Sequence, residues 1–391
     1  MAVATLDRKK KERAKASKQG PRVLVDFTAA AHEHVEPAFD VTQATQAATS
    51  VTLGPFDVPA YGYLRHIDIL VTVSVAGALG TGVLHEDFPF NILDEVTLLD
   101  VNGAPIYGPV TGFDTFLVNL YGAYVFATDP RSQPDFSATY ATAAFMLRIP
   151  VEIQHNNGLG ALANQNAAAS YKVRLVLSAL STQLSTVGSA TVNTYRIRGF
   201  LEAWSQPTSV DLAGRPQAMQ PPRHGTTQYW SKFIKSVSAG AQTIQLPRVG
   251  NLIRTIIFIL RTATVRSTTD FPDPIELWWD ARQLIVEPRF LRRTYMVERY
   301  LHASGGILTG AFSYPLTHDV LGHAGDGTPE LWLPTVQSTR LELRGTFGAG
   351  AVSLAVLTND VAPVEVQPQE RYQEQSETGF TPESAASPVA G

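Results

Sequence analysis

The chain of 391 residues contains no cysteine, which removes disulfide frameworks, thiolate metal sites and cysteine nucleophiles together. Long apolar runs are missing as well. The longest, IIFIL from Ile256 to Leu260, falls far short of the roughly 18 residues a bilayer span requires. The first residues hold no signal-like apolar block, so we expect a soluble protein without a standard secretion signal. Charge is scarce too: Asp, Glu, Lys and Arg make up 17% of the chain, against about 25% in an average domain. Stability must therefore come from burial and assembly.

What is plentiful is Gly, Pro, Thr and Val, which favours sheets and turns over long helices. The length exceeds what one hydrophobic core usually supports, so two domains are expected. The net charge of −4 is unevenly placed. Residues 1–20 carry seven Lys or Arg and two acids, so the remaining 371 residues carry −9. LDRKKKERAKASK has good helix formers and no β-branched residue, which predicts a short basic helix once a partner binds it. Its apolar content is too low for insertion into lipid, although its charge suits an anionic surface.

Residues 1–50 read as this basic arm and a lead-in. From Val51 the pattern becomes that of strands. Leu64, Ile67, Ile69, Val71, Val73 and Val75 lie mostly two apart, as in a half-buried strand. Asn102-Gly103 between apolar segments predicts a two-residue hairpin turn. Phe113, Phe116, Leu117, Leu120 and Tyr121 share one face of a short helix. Further strands are expected at AFMLRIPVEI, YKVRLVLSAL and TYRIRGFLEAW, with QHNNGLGALANQNAAAS as a surface excursion. A Pro-rich linker at 206–225 closes a first unit at 51–205, a second unit covers 226–363, and a flexible tail follows at 364–391.

The second unit repeats the first. Pro59, Gly62 and Leu64 match Pro247, Gly250 and Leu252 at an offset of 188; Asp87-Phe88-Pro89 matches Asp270-Phe271-Pro272 at 183; Asp100 matches Asp280 at 180; LVNLY matches MVERY at 179. Four matches in one order at a nearly constant offset indicate an internal duplication. Each unit offers about eight strand candidates and one helical insertion, which suits a jelly roll. Two rolls per chain and three chains about a threefold axis would present six similar flanks, a pseudo-hexagonal block suited to tiling a shell.

Sites for chemistry are weak by comparison. His32-Glu33-His34 stands ahead of the first expected strand and lacks a cupin-spaced continuation, and His318, Asp319, His323 and Asp326 sit in a Gly-rich loop that reads as exposed. No Gly-x-Ser-x-Gly elbow, phosphate-binding loop or dinucleotide fingerprint occurs. Acid pairs such as Asp94 with Glu95 and Asp273 with Glu276 read as solvated edge residues. Trp278 and Trp279 are adjacent, so on a strand one faces the core and the other an interface. No catalytic, cofactor-binding or metal residue is assigned. The basic run has no interleaved aromatics and the body is acidic, which argues against a specific nucleic-acid partner.

The order of basic helix, FDVPAYGYLRHIDILV, FNILDEVTLLDVNGAPIYGPVTGFDTFLVNLYG, Pro-rich bridge and second roll resembles the double jelly-roll major capsid proteins of tailless icosahedral phages with an internal membrane, the tectivirus type. The resemblance covers about residues 8–360. It implies an all-β fold of two consecutive eight-stranded jelly rolls with short helical insertions and an N-terminal basic helix. It also implies a non-enzymatic, cofactor-free coat protein of the virion, made in the host cytoplasm. Homotrimeric capsomers would meet neighbouring capsomers, vertex or penton proteins and minor capsid proteins. By the same resemblance Arg8, Lys9, Lys10, Lys11, Arg13, Lys15 and Lys18 would face the internal membrane or a neighbouring capsomer. The loops after Tyr121 and Tyr300 are too modest for surface towers, leaving receptor binding to another protein such as a vertex spike. A two-jelly-roll hydrolase that releases glycans and a lectin-like carbohydrate binder are the alternatives.

Overall fold

The computed structural model of the chain describes residues 27–122, 124, 135–136, 140–153, 158–207, 227–247, 249–300, 308–316 and 332–362. The basic segment with Arg8, Lys9, Lys10, Lys11, Arg13, Lys15 and Lys18 lies outside these residues. So do the linker beyond Pro207, the loop from His318 to Asp326 and the tail at 364–391.

The first half contributes eight longer strands: β1 (Glu33–Ala44), β2 (Val51–Asp57), β3 (Tyr63–Val75), β4 (Leu93–Leu99), β5 (Pro105–Val110), β6 (Ala143–Pro150), β7 (Lys172–Leu177) and β8 (Thr194–Trp204). The second contributes β9 (Gln228–Ser236), β10 (Gly240–Gln245), β11 (Leu252–Thr262), β12 (Ile275–Trp279), β13 (Arg282–Glu287), β14 (Ala311–Pro315), β15 (Leu341–Phe347) and β16 (Ser353–Val361). Helix α1 (Gly112–Tyr121) follows β5 and α2 (Arg289–Tyr300) follows β13.

The strand order is the same in both halves. The first pairs β1-β8-β3-β6 in one sheet and β2-β7-β4-β5 in the other; the second pairs β9-β16-β11-β14 and β10-β15-β12-β13. Each half is thus a jelly roll of two facing four-stranded sheets. The duplication read from the sequence is a duplication of topology. Gly62 and Gly250, matched by sequence, hold positive φ of 45° and 115° just before β3 and β11. At Gly62 a Cβ would come within 1.9 Å of the Trp204 carbonyl oxygen, so a side chain there would collide with β8.

Alternation places Ile67, Ile69 and Val71 of β3 in the first core, fully buried. Strand β11 behaves differently. Ile253, Ile256, Phe258 and Leu260 face the second core, while Ile257 and Ile259 join the cluster of the first roll. A strand covered on both faces reads as a continuous apolar run, which accounts for IIFIL. Helix α1 opens on a capping box: Asp114 N donates to Thr111 Oγ1 at 3.1 Å, and Thr111 N donates to Asp114 Oδ2 at 2.9 Å. Every residue of α1 is buried, so the single apolar face expected from sequence is surrounded by protein on all sides.

Two expectations need correction, and a third is refined. Residues 33–44 form strand β1, paired with β8 from Glu33↔Trp204 to Ala44↔Thr194, so His32-Glu33-His34 opens a strand instead of preceding one. The excursion after Ile153 is buried in part: Leu159 packs with Ile153, Trp332 and Val361, and Asn164 Nδ2 donates to the Pro59 carbonyl at 2.6 Å. The acid pairs keep solvent contact, Asp94 and Asp273 being exposed, and each acid also meets a side chain. Asp94 accepts from Ser50 at 3.1 Å, Glu95 from Arg174 Nε at 2.9 Å, Asp273 lies 3.3 Å from Arg289, and Glu276 accepts from Trp278 Nε1 at 2.9 Å.

Candidate assembly interface

The joint between the rolls combines a backbone bridge, ion pairs and aromatic contacts. Its backbone element is one parallel bridge, Tyr107 of β5 to Trp230 of β9, which merges a sheet from each roll into one. Both side chains are buried, at 0% and 2% exposure. Lys232, two residues further along β9, pairs with Asp114 of α1. The capping carboxylate therefore serves the helix N-terminus and the neighbouring roll at once.

A second cluster rests on the first Asp-Phe-Pro triplet. Arg261 Nη2 at the end of β11 donates to Asp87 Oδ2 at 2.6 Å, and Arg266 Nε lies 3.0 Å from Asp87 Oδ1 and 3.2 Å from Glu86 Oε1. The Arg266 guanidinium also sits 4.7 Å from the Phe113 ring centre, a cation–π distance. The matching Asp270 is used within its own roll. It accepts from Ser267 Oγ at 2.7 Å, Thr262 Oγ1 at 3.0 Å and Gly350 N at 3.1 Å, and these bonds, that of Ser267 foremost, lower its carboxyl pKa. The aspartates at the two hairpins diverge less. Asp100 accepts from Asn102 N at 2.8 Å inside its turn. Asp280, at φ 51°, accepts from Thr339 N at 2.9 Å and Arg340 N at 3.1 Å.

Two buried arginines occupy equivalent places near the starts of β3 and β11. Arg65 lies 4.1 Å over the Trp204 ring and reaches Glu152 at 2.7 Å, Glu33 at 2.6 Å and Glu202 at 2.7 Å. Arg254 lies 5.3 Å from the Trp332 ring and donates to Asn359 at 2.9 Å, Gln228 at 3.1 Å and Tyr124 at 3.3 Å. Gln228 Nε2 in turn donates to the Val151 and Glu152 carbonyls, each at 3.1 Å. Glu152 thus links the two centres.

Next to Arg65, the potential ligand atoms of His66, Asp68 and Glu202 lie within 4.8 Å of one another. The carboxylates are already occupied: Arg148 Nε and Nη2 bind Asp68 at 2.9 and 3.0 Å, and Arg65 binds Glu202. Two guanidiniums in contact with the ligands oppose a dication. Burial pushes His66 below the ordinary imidazole range despite its contact with Glu202. For Glu202 burial acts upward, but His66, Arg65 and Arg148 outweigh it and bring the carboxyl to about 2.

His32, Glu33 and His34 do not converge. His32 Nδ1 lies 3.0 Å from Ser205 Oγ, Glu33 binds Arg65, and His34 stacks on Tyr61 at 3.9 Å. Trp279 packs against the second core, whereas Trp278 lies under Arg344 at 4.3 Å. Sequence reading missed Arg65, Arg254, Arg261 and Arg266; the signal available for the first two was an arginine set in an otherwise apolar strand.

No protein-family model matches this chain, and no curated protein is similar to it in sequence. Solved structures are similar in shape. The STIV major capsid protein superposes with a TM-score of 0.59 at 12% identity, over 85% of this chain and 97% of its own. A structure of Sulfolobus Turreted Icosahedral Virus gives 0.59 at 12% identity, over 89% and 97%. PBCV-1 VP54, fitted into a reconstruction of the virophage Sputnik, gives 0.54 at 9% identity, over 86% and 95%. The chain shares their double jelly-roll fold. The likeness extends over both rolls, so the shared feature is the paired arrangement as well as the single roll.

Proposed function

We propose that the chain is a major capsid protein whose homotrimers form pseudo-hexagonal capsomers of an icosahedral virion shell. The observation that carries this reading is the pairing of two rolls of identical strand order through a buried joint, in a fold shared with viral capsid proteins over most of the chain. The mechanism is burial, not catalysis. An obligate interface buries more than about 2,000 Å², which suits a cysteine-free chain of low charge.

In this reading the rolls extend over 51–205 and 226–363 with β1 added to the first, and the linker at 206–225 fixes the angle between them. The basic residues from Arg8 to Lys18 meet the internal membrane or a neighbouring capsomer. The tail at 364–391 ties capsomers together, and vertex, penton and minor capsid proteins complete a shell made in the host cytoplasm without a specific nucleic-acid contact. Among the described residues no observation favours the hydrolase or lectin alternatives.

Negative-stain images of the purified chain test the reading. Particles with hexagonal outlines are expected; small particles without such outlines would overturn it.

A further inference from the structure

The two rolls use their edges unequally. Within the chain, β5 of the first roll meets β9 of the second. The equivalent of β5 is β13, also six residues long and also followed directly by a helix; the equivalent of β9 is β1. Both are terminal strands of their sheets among the described residues. Their side chains differ from their counterparts in exposure. Tyr107 is 0% exposed, whereas Leu284 at the same place in β13 is 36% exposed and Val286 47%. Trp230, two residues into β9, is 2% exposed, whereas Val35, two residues into β1, is 60% exposed. Phe113, second residue of α1, is 3% exposed beneath Arg266; Phe290, second residue of α2, is 80% exposed.

An open strand edge with apolar side chains is a template for another strand. The joint inside the chain identifies the occupant as a second copy, and charge accords with it. On strand β1 Glu33 is bound to Arg65 and Asp40 to Arg196 within the roll, and Glu36 stands beside them with no Lys or Arg on the strand. In the segment from Arg282 to Tyr300, Arg289 is bound to Asp273 and Arg292 to Glu287, and Arg282 and Arg293 keep the segment basic. The two edges thus differ in sign on the same chain.

We infer that β13 of one copy pairs with β1 of the next, repeating between chains the β5–β9 joint found within one chain. The inference rests on the capsomer reading and adds its contact surface. The contact is heterologous, so each copy offers one edge and receives another, and the series closes on itself when six rolls complete the ring. Helix α2 then lies against the neighbour's first roll, with Phe290 covered as Phe113 is covered.

The absence of cysteine gives a clean test. The full chain carrying Val35→Cys and Leu284→Cys, oxidised and run without reductant, is expected to give covalent trimers, with each single variant giving none. Separately, Leu284→Lys and Val35→Lys are expected to abolish the trimer in native mass measurements, while Val75→Lys, at a side chain 62% exposed at the end of β3, keeps it. A trimeric wild type whose double-cysteine variant stays monomeric on the gel, or whose Lys variants stay trimeric, overturns this contact and leaves the capsomer reading standing. A wild type that is itself monomeric overturns both.

Discussion

Tyr121 and Tyr300, the last residues of α1 and α2 and equivalent under the duplication, touch edge to face with ring centres 5.1 Å apart. The pair is therefore one of the contacts that hold the two rolls together. Burial raises both hydroxyl pKa values, and the Tyr300 hydroxyl lies 2.9 Å from Ser313 Oγ of β14. Replacing either ring by alanine should cost about 3–5 kcal/mol, the range for a large buried aromatic. A double-mutant cycle in urea should give a coupling of about 0.5–1.5 kcal/mol.

Asp87 and Asp270 carry the same sequence signature and different duties. Asp87→Asn leaves Arg261 and Arg266 facing a neutral amide, and breaking a buried ion pair costs about 3–5 kcal/mol. With Arg261 22% exposed at its side chain, about 3 kcal/mol is expected. The loss should appear as an earlier separation of the two rolls in denaturant. Asp270→Asn keeps an acceptor for Ser267 and Thr262 and should cost about 1 kcal/mol. Equal losses for the two variants would contradict the assignment of Asp87 to the joint.

The duplication and the rolls were legible in the sequence because turn residues and alternating apolar positions recur locally in one order. Strand β1 was not. Val35, Phe39 and Val41 do alternate with Glu36, Asp40 and Thr42, but Pro37 argues against a strand interior, and the register shifts between Pro37 and Phe39, which moves the inward face from one set of positions to the other. A proline is tolerated at a sheet edge, where one side of the ladder is open. The joint was illegible for another reason. Asp87 and Arg261 are 174 residues apart, and no local pattern records a pairing set by packing one roll against the other. The duplication told where equivalent residues lie; it did not tell that one aspartate turns outward and its counterpart inward.

Acid should weaken the first roll through His66 and Glu202. Both have folded pKa values below their ordinary ones, about 2 against an ordinary 4.5 for Glu202. The unfolded chain therefore binds protons first as pH falls. The stability these groups contribute is present above their unfolded values and is lost for His66 below about 6.5 and for Glu202 from about 4.5 toward 2. Urea midpoints measured against pH should fall across these ranges, and Glu202→Gln should flatten the lower one.

Removing residues 1–18 takes away Arg8, Lys9, Lys10, Lys11, Arg13, Lys15 and Lys18 while leaving every described strand in place. The shortened chain should form trimers as the full one does, with impaired shell or membrane assembly in sedimentation and vesicle-binding assays. Failure of the trimer itself would contradict the peripheral role given to this segment.

The native mass of the purified full-length chain tests the central claim most directly. Two equivalent rolls joined by a buried joint and carrying one pair of open edges predict a stable species of three times the 42.4 kDa chain mass. A single-chain mass at all concentrations measured would contradict it.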